Sequence, residues 1–173
     1  MTAFMKLYKY FYPQYSFKSI DDIDCGMFKT LGIKFVILDI DNTLVPYTSP
    51  YPDGRAIKFL NSLKENGISF CFVSNNSRER IEKFNTNIGA AYFPNAKKPL
   101  LYGINEAMAS LGAEKSNTAL IGDQIFTDIW GGKRAGITTI LVEPIKECES
   151  LFFRFKRYFE KKVIREYNKQ RSE

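Results

Sequence analysis

Phe35-Val36-Ile37-Leu38-Asp39-Ile40-Asp41-Asn42-Thr43 is an apolar run that opens into two carboxylates two residues apart. The run reads as a buried strand. If its geometry continues past Leu38, Asp39 and Asp41 share a face, because strand side chains repeat every second residue. Two acids at the carboxyl end of a buried strand suit metal binding and phosphoryl chemistry. An Asx-rich turn has the same composition, since Asp and Asn bond their own backbone there. The rest of the chain has to decide between the two.

Working outward, buried strands are predicted at residues 34–39, 69–74, 91–93, 118–122 and 139–142. Helical patterns lie between them. Asp53 can cap a helix with Ile57, Leu60 and Leu63 at helical spacing, closed by Gly67. Residues 78–88 are polar but helix-compatible, ended by Gly89. Pro99 suits the first turn of a helix with Leu100, Leu101, Ile104, Met108 and Leu111 on one face, stopped by Gly112. A helix over 123–135 is interrupted by Gly131-Gly132. Alternating strand and helix predicts an α/β fold, a parallel sheet with helices on both faces. Such a sheet gathers ligands at the carboxyl ends of its strands.

Composition narrows the chemistry. With 173 residues, 45% of them hydrophobic, the chain reads as a single domain with a real core. No apolar stretch approaches the roughly 18 residues of a membrane span. No signal-peptide pattern precedes Phe17. Cys25, Cys71 and Cys148 show neither zinc spacing nor a disulfide framework, which fits a reduced, cytoplasmic setting. The absence of histidine removes Ser-His and Cys-His nucleophile pairs and histidine-ligated zinc. Acid–base work then falls to carboxylates, Lys, Tyr or Cys, and any metal should be a hard cation held by oxygen.

Charge is uneven. Residues 1–20 carry +3 and residues 150–173 carry +5, which leaves −2 for the middle out of a total of +6. Basic ends on a slightly acidic core point to an anionic partner, or are ordinary solvated termini.

At the predicted strand ends stand Asp39 and Asp41, then Ser74-Asn75-Asn76, then Asp123 with Asp128 five residues on, and Lys97-Lys98-Pro99 opens a helix before the fourth strand. On one sheet edge these groups converge. Clustered carboxylates need a cation, or they repel and protonate. Magnesium, held by a few carboxylates, water and a substrate phosphate, suits them. Singly, Ser74 also reads as a turn cap, Lys98 as a surface charge and Asp123 as a helix cap.

Together these motifs resemble the haloacid dehalogenase-like phosphohydrolases. Asp39-Ile40-Asp41-Asn42-Thr43, Val73-Ser74-Asn75, Lys98-Pro99 and Gly122-Asp123 through Asp128 match that family's four motifs in order, across roughly residues 33 to 144. The wording Asp39 to Pro46, Ser74-Asn75-Asn76 and Gly122 to Gly132 is similar to the YqeG subgroup, related to phosphatidylglycerophosphate phosphatases. Pro99 as register marker favours Lys98 over Lys97.

The resemblance implies a Rossmann-like three-layer sandwich with five strands, mostly parallel, in the order 3-2-1-4-5. It implies a core at about 30–145, flanked by a basic aromatic segment, 1–20, and a basic amphipathic helix at about 149–168. It also implies a magnesium-dependent phosphatase with Asp39 as nucleophile and Asp41 as acid–base. Ser74, Asn75 and Lys98 would bind phosphate. Asp39, Asp41 (through its carbonyl), Asp123 and Asp128 would hold Mg2+, Asp128 otherwise orienting Lys98.

Cap domains of this family enter after the first motif or between the second and third. Residues 45–53 and 77–96 leave no room for one. An open site suits large or surface-held substrates, and the Pro-rich stretch Pro46 to Pro52 either lines its entry or simply connects. Read as a helix, the C-terminal segment places Leu151, Phe152, Phe155, Tyr158, Phe159 and Val163 on one side and Arg154, Arg157, Lys161 and Arg165 on the other. That pattern fits an anionic membrane surface or packing on the domain. The leading expectation is a phosphatase for phosphatidylglycerophosphate, peripheral at the inner face of the membrane. Alternatives are a soluble phosphatase for nucleic-acid ends, phosphoproteins or small phosphomonoesters, and a non-catalytic adaptor.

Overall fold

The computed structural model describes residues 9–146 and 151–172, with side chains over 9–146 and 158–169. Six strands form one parallel sheet: β1 (Tyr15–Phe17), β2 (Phe35–Leu38), β3 (Ser69–Val73), β4 (Ala91–Phe93), β5 (Thr118–Gly122) and β6 (Thr138–Val142), in the order β1-β6-β5-β2-β3-β4. The five expected strands keep their expected order. The sixth, β1, comes from the N-terminal segment and pairs with β6, Tyr15 opposite Ile140. Its pairing partner lies far along the chain, so no local signal marks it as a strand. Gln14 fixes the pairing: its amide N–H donates to the Thr139 carbonyl at 3.1 Å, and its side-chain oxygen accepts from Thr139 N at 2.9 Å.

Alternation along the strands sorts the core. Val36 and Leu38 of β2, Phe70 and Phe72 of β3, and Ala119 and Ile121 of β5 face one side. There they meet α1 (Gly26–Thr30), α2 (Gly54–Glu65) and α3 (Arg78–Asn85) through Phe28, Leu60, Leu63, Ile81 and Phe84. Ile37, Cys71, Val73 and Leu120 face the other side, against Ile104, Ala107 and Met108 of α4 (Tyr102–Leu111) and Ala135 of α5 (Trp130–Ala135). Because β2 is apolar on both faces and sits between β3 and β5, it is the sheet's centre.

Two helices differ from expectation. α4 begins at Tyr102, and residues 99–101 form a turn that leaves Leu100 exposed. Residues 125–129 form one π-helical turn before α5, with the Gln124 carbonyl accepting from Asp128 N at 3.0 Å and Ile129 N at 3.2 Å. Gly131 and Gly132 do not break the helix. A Cβ on Gly132 would lie 2.5 Å from Thr139 Cγ2, so glycine lets α5 approach β6.

The last helix, α6 (Leu151–Ser172), docks through Val163 and Tyr167 onto Tyr12, Ile125, Ile129 and Leu141. Glu160 is buried beside them and accepts from Phe126 N at 3.3 Å. Tyr158 and Phe159 stay exposed rather than sharing Val163's face, with Lys162 over both rings. The side chains of Leu151, Phe152, Arg154, Phe155 and Arg157 lie outside the described residues. Among the described residues no helix is long and apolar enough to cross a membrane.

Asp53 caps α2 by accepting from Ala56 N at 2.8 Å. Asp53→Ala should lower stability by about 1 kcal/mol in denaturant unfolding, as loss of one helix cap does.

Candidate active site

α2, which follows β2, packs on one face of the sheet and α5, which follows β5, on the other, so a crevice opens where the β2 and β5 carboxyl ends diverge. Asp39 follows β2 and Asp123 follows β5. Asp39 is anchored by its own N–H, which donates to the Ile121 carbonyl at 3.0 Å. The strand does not continue to Asp41 as the sequence suggested. Instead the chain folds back, with Leu44 N donating to the Ile40 carbonyl at 2.9 Å and Asn42 N to the Val45 carbonyl at 2.7 Å. Asn42 takes the left-handed region at φ 62°, which asparagine tolerates. The turn and the acid pair therefore coexist in one segment.

Lys98 sits at the centre of the site. Its Nζ lies 2.7 Å from Asp39 Oδ1, 2.7 Å from Asp128 Oδ1 and 2.7 Å from the Val73 carbonyl. Two of its N–H groups donate hydrogen bonds, to Asp39 and Val73, while Asp128 Oδ1 is in ion-pair contact and is buried with no hydrogen-bond partner. Asn75 sets the lysine's backbone, with Oδ1 accepting from Lys98 N at 2.6 Å and Nδ2 donating to the Lys98 carbonyl at 3.0 Å. The Asn75 side chain is thus committed to a loop, not turned to a ligand. Lys97, its neighbour, is exposed at φ 52°. Ser74 is buried, and its hydroxyl accepts from Asn76 N at 3.1 Å. Thr43 Oγ1 lies between two acids, 3.3 Å from Asp39 Oδ2 and 3.4 Å from Asp123 Oδ1.

Asp128 reaches the cluster because the π-helical turn carries it back beneath β5. Its Oδ2 accepts from Gln124 N at 3.1 Å. A Cβ on Gly122 would lie 2.4 Å from Asp128 Cγ, so only glycine leaves room for the carboxylate.

Asp39, Asp123 and Asp128 are all buried, with ligand oxygens within 4.8 Å of one another. One ammonium cannot balance three buried carboxylates. Burial pushes the Asp39 carboxyl up to about 8, Lys98 opposes that, and the Asp128 and Asp123 charges add to it. Burial alone would lower the Lys98 pKa, but Asp128 and Asp39 hold it above its ordinary value. An all-oxygen set with excess negative charge fits a hard divalent cation.

The Asp41 side chain is not in this carboxylate cluster. Its Oδ1 accepts from Arg80 Nη2 at 2.7 Å and Nε at 3.1 Å, and its Oδ2 accepts from Asn76 Nδ2 at 3.2 Å. Sequence reasoning missed Arg80. It lies in the first turn of α3 beside Arg78, and only the helix register separates the two. Arg78 turns to Glu82 and Tyr92, and Arg80 turns to the site.

A family model described as haloacid dehalogenase-like hydrolase matches residues 7–142. The chain belongs to that family. It is 35% identical over 91% of its length to a Bacillus subtilis protein named probable phosphatase YqeG, covering 92% of that protein. It is 28% identical to a phosphatidylglycerophosphate phosphatase 1 of Arabidopsis thaliana, over 81% of this chain but only 43% of that one. Among solved structures, an uncharacterized Listeria monocytogenes protein aligns with TM-score 0.56 at 21% identity, over 68% of this chain and 85% of that one. The cobalt-bound deoxy-D-mannose-octulosonate 8-phosphate phosphatase of Haemophilus influenzae aligns with TM-score 0.54 at 15% identity, over 81% and 92%. These two share the fold. With its sequence relatives, the chain is a phosphatase of this family, as its motifs imply.

Without metal, folded Asp39 keeps its proton up to about pH 8, whereas the unfolded chain releases it near about pH 4. Stability from this group is complete below that lower value and is lost as pH rises through the window. In metal-free protein, the stability of wild type relative to Asp39→Asn should fall between those values in denaturant unfolding. A flat difference would contradict the buried, protonated carboxyl. Gly122→Ala should displace Asp128 and cut phosphatase turnover about 10²-fold, the scale of an ångström-level misplacement.

Proposed function

We propose that this chain is a magnesium-dependent phosphomonoesterase that removes the terminal phosphate of phosphatidylglycerophosphate at a membrane surface. The observation that carries the phosphatase chemistry is the buried Asp39–Lys98–Asp128 group with Asp123 beside it. Asp39 attacks phosphorus through one carboxylate oxygen. A bond from that oxygen to phosphorus forms, and the ester oxygen leaves. Asp41 gives that leaving alkoxide a proton, then takes one from the water that cleaves the aspartyl-phosphate, releasing inorganic phosphate and restoring Asp39.

Asp39, Asp123, Asp128 and the Asp41 carbonyl are the groups that would hold Mg2+. When bound, the ion neutralises phosphate charge and favours ionised Asp39. Lys98 orients Asp39 through their 2.7 Å contact and would pass one N–H to the phosphoryl group as charge builds there. Ser74 and the backbone N–H of Asn75 are the remaining donors proposed for the phosphate.

The lipid reading rests on three supports. One relative is named for phosphatidylglycerophosphate. The segment after Asp41 and the segment between β3 and β4 hold no inserted domain, so the site is uncovered. Tyr47 and Tyr51 on the loop after Asp41, and Leu100 and Tyr102 just after Lys98, are all exposed. Tyrosines at a rim of this kind suit a lipid–water interface, and the basic ends suit anionic headgroups.

The test compares turnover with Mg2+ on phosphatidylglycerophosphate in liposomes against soluble phosphomonoesters. The lipid should be hydrolysed with the higher kcat/KM, and Asp39→Asn should abolish turnover on both. Equal or better efficiency on small esters would remove the lipid assignment. Activity surviving in Asp39→Asn would remove the nucleophile assignment.

A further inference from the structure

Lys98 is enclosed by Asp39, Asp128 and the Val73 carbonyl, and a second cation stands at the site. Arg80 is more accessible than Lys98, with its side chain 12% exposed against 2%. It is held at three points: Nε and Nη2 both reach Asp41 Oδ1, at 3.1 and 2.7 Å, and Nη1 donates to the Pro50 carbonyl at 3.1 Å. Both N–H groups of the fork land on a single oxygen, because Asn76 occupies the other. A guanidinium fork matches an anion that offers it two oxygens, one for each N–H. The contact with Asp41 falls short of that match, so an incoming anion with two free oxygens can compete for the fork.

We propose that Arg80 recognises a second anionic group of the substrate, a phosphodiester one short linker beyond the ester that is cleaved. Asp41 is its counter-ion at rest. This rests on the reading of Asp41 as the group that meets the leaving oxygen. Both Asp41 oxygens are engaged in the resting site, one by Arg80 and one by Asn76. To reach the leaving oxygen, Asp41 gives up one of them. Arg80 touches Asp41, the group read as meeting the leaving oxygen, so whatever is attached to the departing alcohol comes within reach of the guanidinium. A phosphodiester there supplies two non-bridging oxygens to Nε and Nη2 as Asp41 turns to its task. The Pro50 contact holds the fork in place during the exchange, which gives the loop 46–52 a role in substrate selection. Arg80 is then a specificity-determining residue, and a substrate with the second anion completes the site better than one without.

The experiment measures kcat/KM with Mg2+ for two soluble esters, so that membrane binding does not enter. One is glycerophosphoglycerol phosphate, the deacylated headgroup with both a monoester and a diester. The other is glycerol phosphate, which has the monoester alone. Wild type should prefer the first by about tenfold or more, the scale of one charge-assisted hydrogen-bonded pair. Arg80→Ala should erase most of that ratio, chiefly through KM of the first ester, and Arg80→Lys should restore part of it. Thermal midpoints of both variants report on folding. Equal loss on both esters in Arg80→Ala would overturn the proposal and leave Arg80 as a positioning residue for Asp41. A wild type indifferent to the second anion would also overturn it while leaving the phosphatase reading intact. No turnover of either ester, or of p-nitrophenyl phosphate, by wild type would remove the phosphatase reading and this inference with it.

Discussion

Lys98 is the constraint on which the site is built. Its ammonium joins three strands' worth of structure: Asp39 after β2, the Val73 carbonyl at the end of β3, and Asp128 below β5. A buried charge of this kind has to be paired, and here two hydrogen bonds and an ion-pair contact with Asp128 surround it. The rest follows from delivering those acceptors. Asn75 clamps the lysine's backbone, Gly122 clears space for Asp128, and the π-helical turn brings Asp128 back towards β5. The same lysine leaves two of the three buried carboxylates unbalanced. That excess calls for a divalent ion and, added to burial, keeps the Asp39 carboxyl well above the usual range without one.

Much of this was legible in sequence because it rests on short-range signals. Apolar runs, capping residues and glycine stops located five strands and most helices, and acids at strand ends located the site. Choosing Lys98 over Lys97 depended on Pro99, and the structure buries Lys98 in the carboxylate cluster while Lys97 is exposed. What failed depended on distance along the chain or on helix register. β1 is held by a partner about 125 positions away. Arg80 and Arg78 are alike in sequence, and only the turn of α3 tells them apart. The Asn75 side chain holds the lysine loop, a role that no local pattern encodes, which leaves its backbone N–H for the phosphate-binding role expected of it.

The two aspartates that begin the site have become chemically unlike through their neighbours. Asp39 is buried among acids and tied to Lys98. Asp41 is nearer the solvent and tied to Arg80. Environment makes the two acids unlike, which suits the separate roles proposed for them. The last helix adds a further division. Its Val163–Tyr167 face is spent on packing, whereas Tyr158, Phe159 and Lys162 remain outward.

The pairing of β1 with β6 has a kinetic side. Tyr15 meets Ile140, so the strand made first is completed by the strand made last. During synthesis the central strands β2 and β3 can pair early, since a single helix separates them. β1 has to wait until β6 has left the ribosome, and closing that long loop carries an entropic cost that local pairs avoid. The β1 edge is therefore the final part of the sheet to be completed.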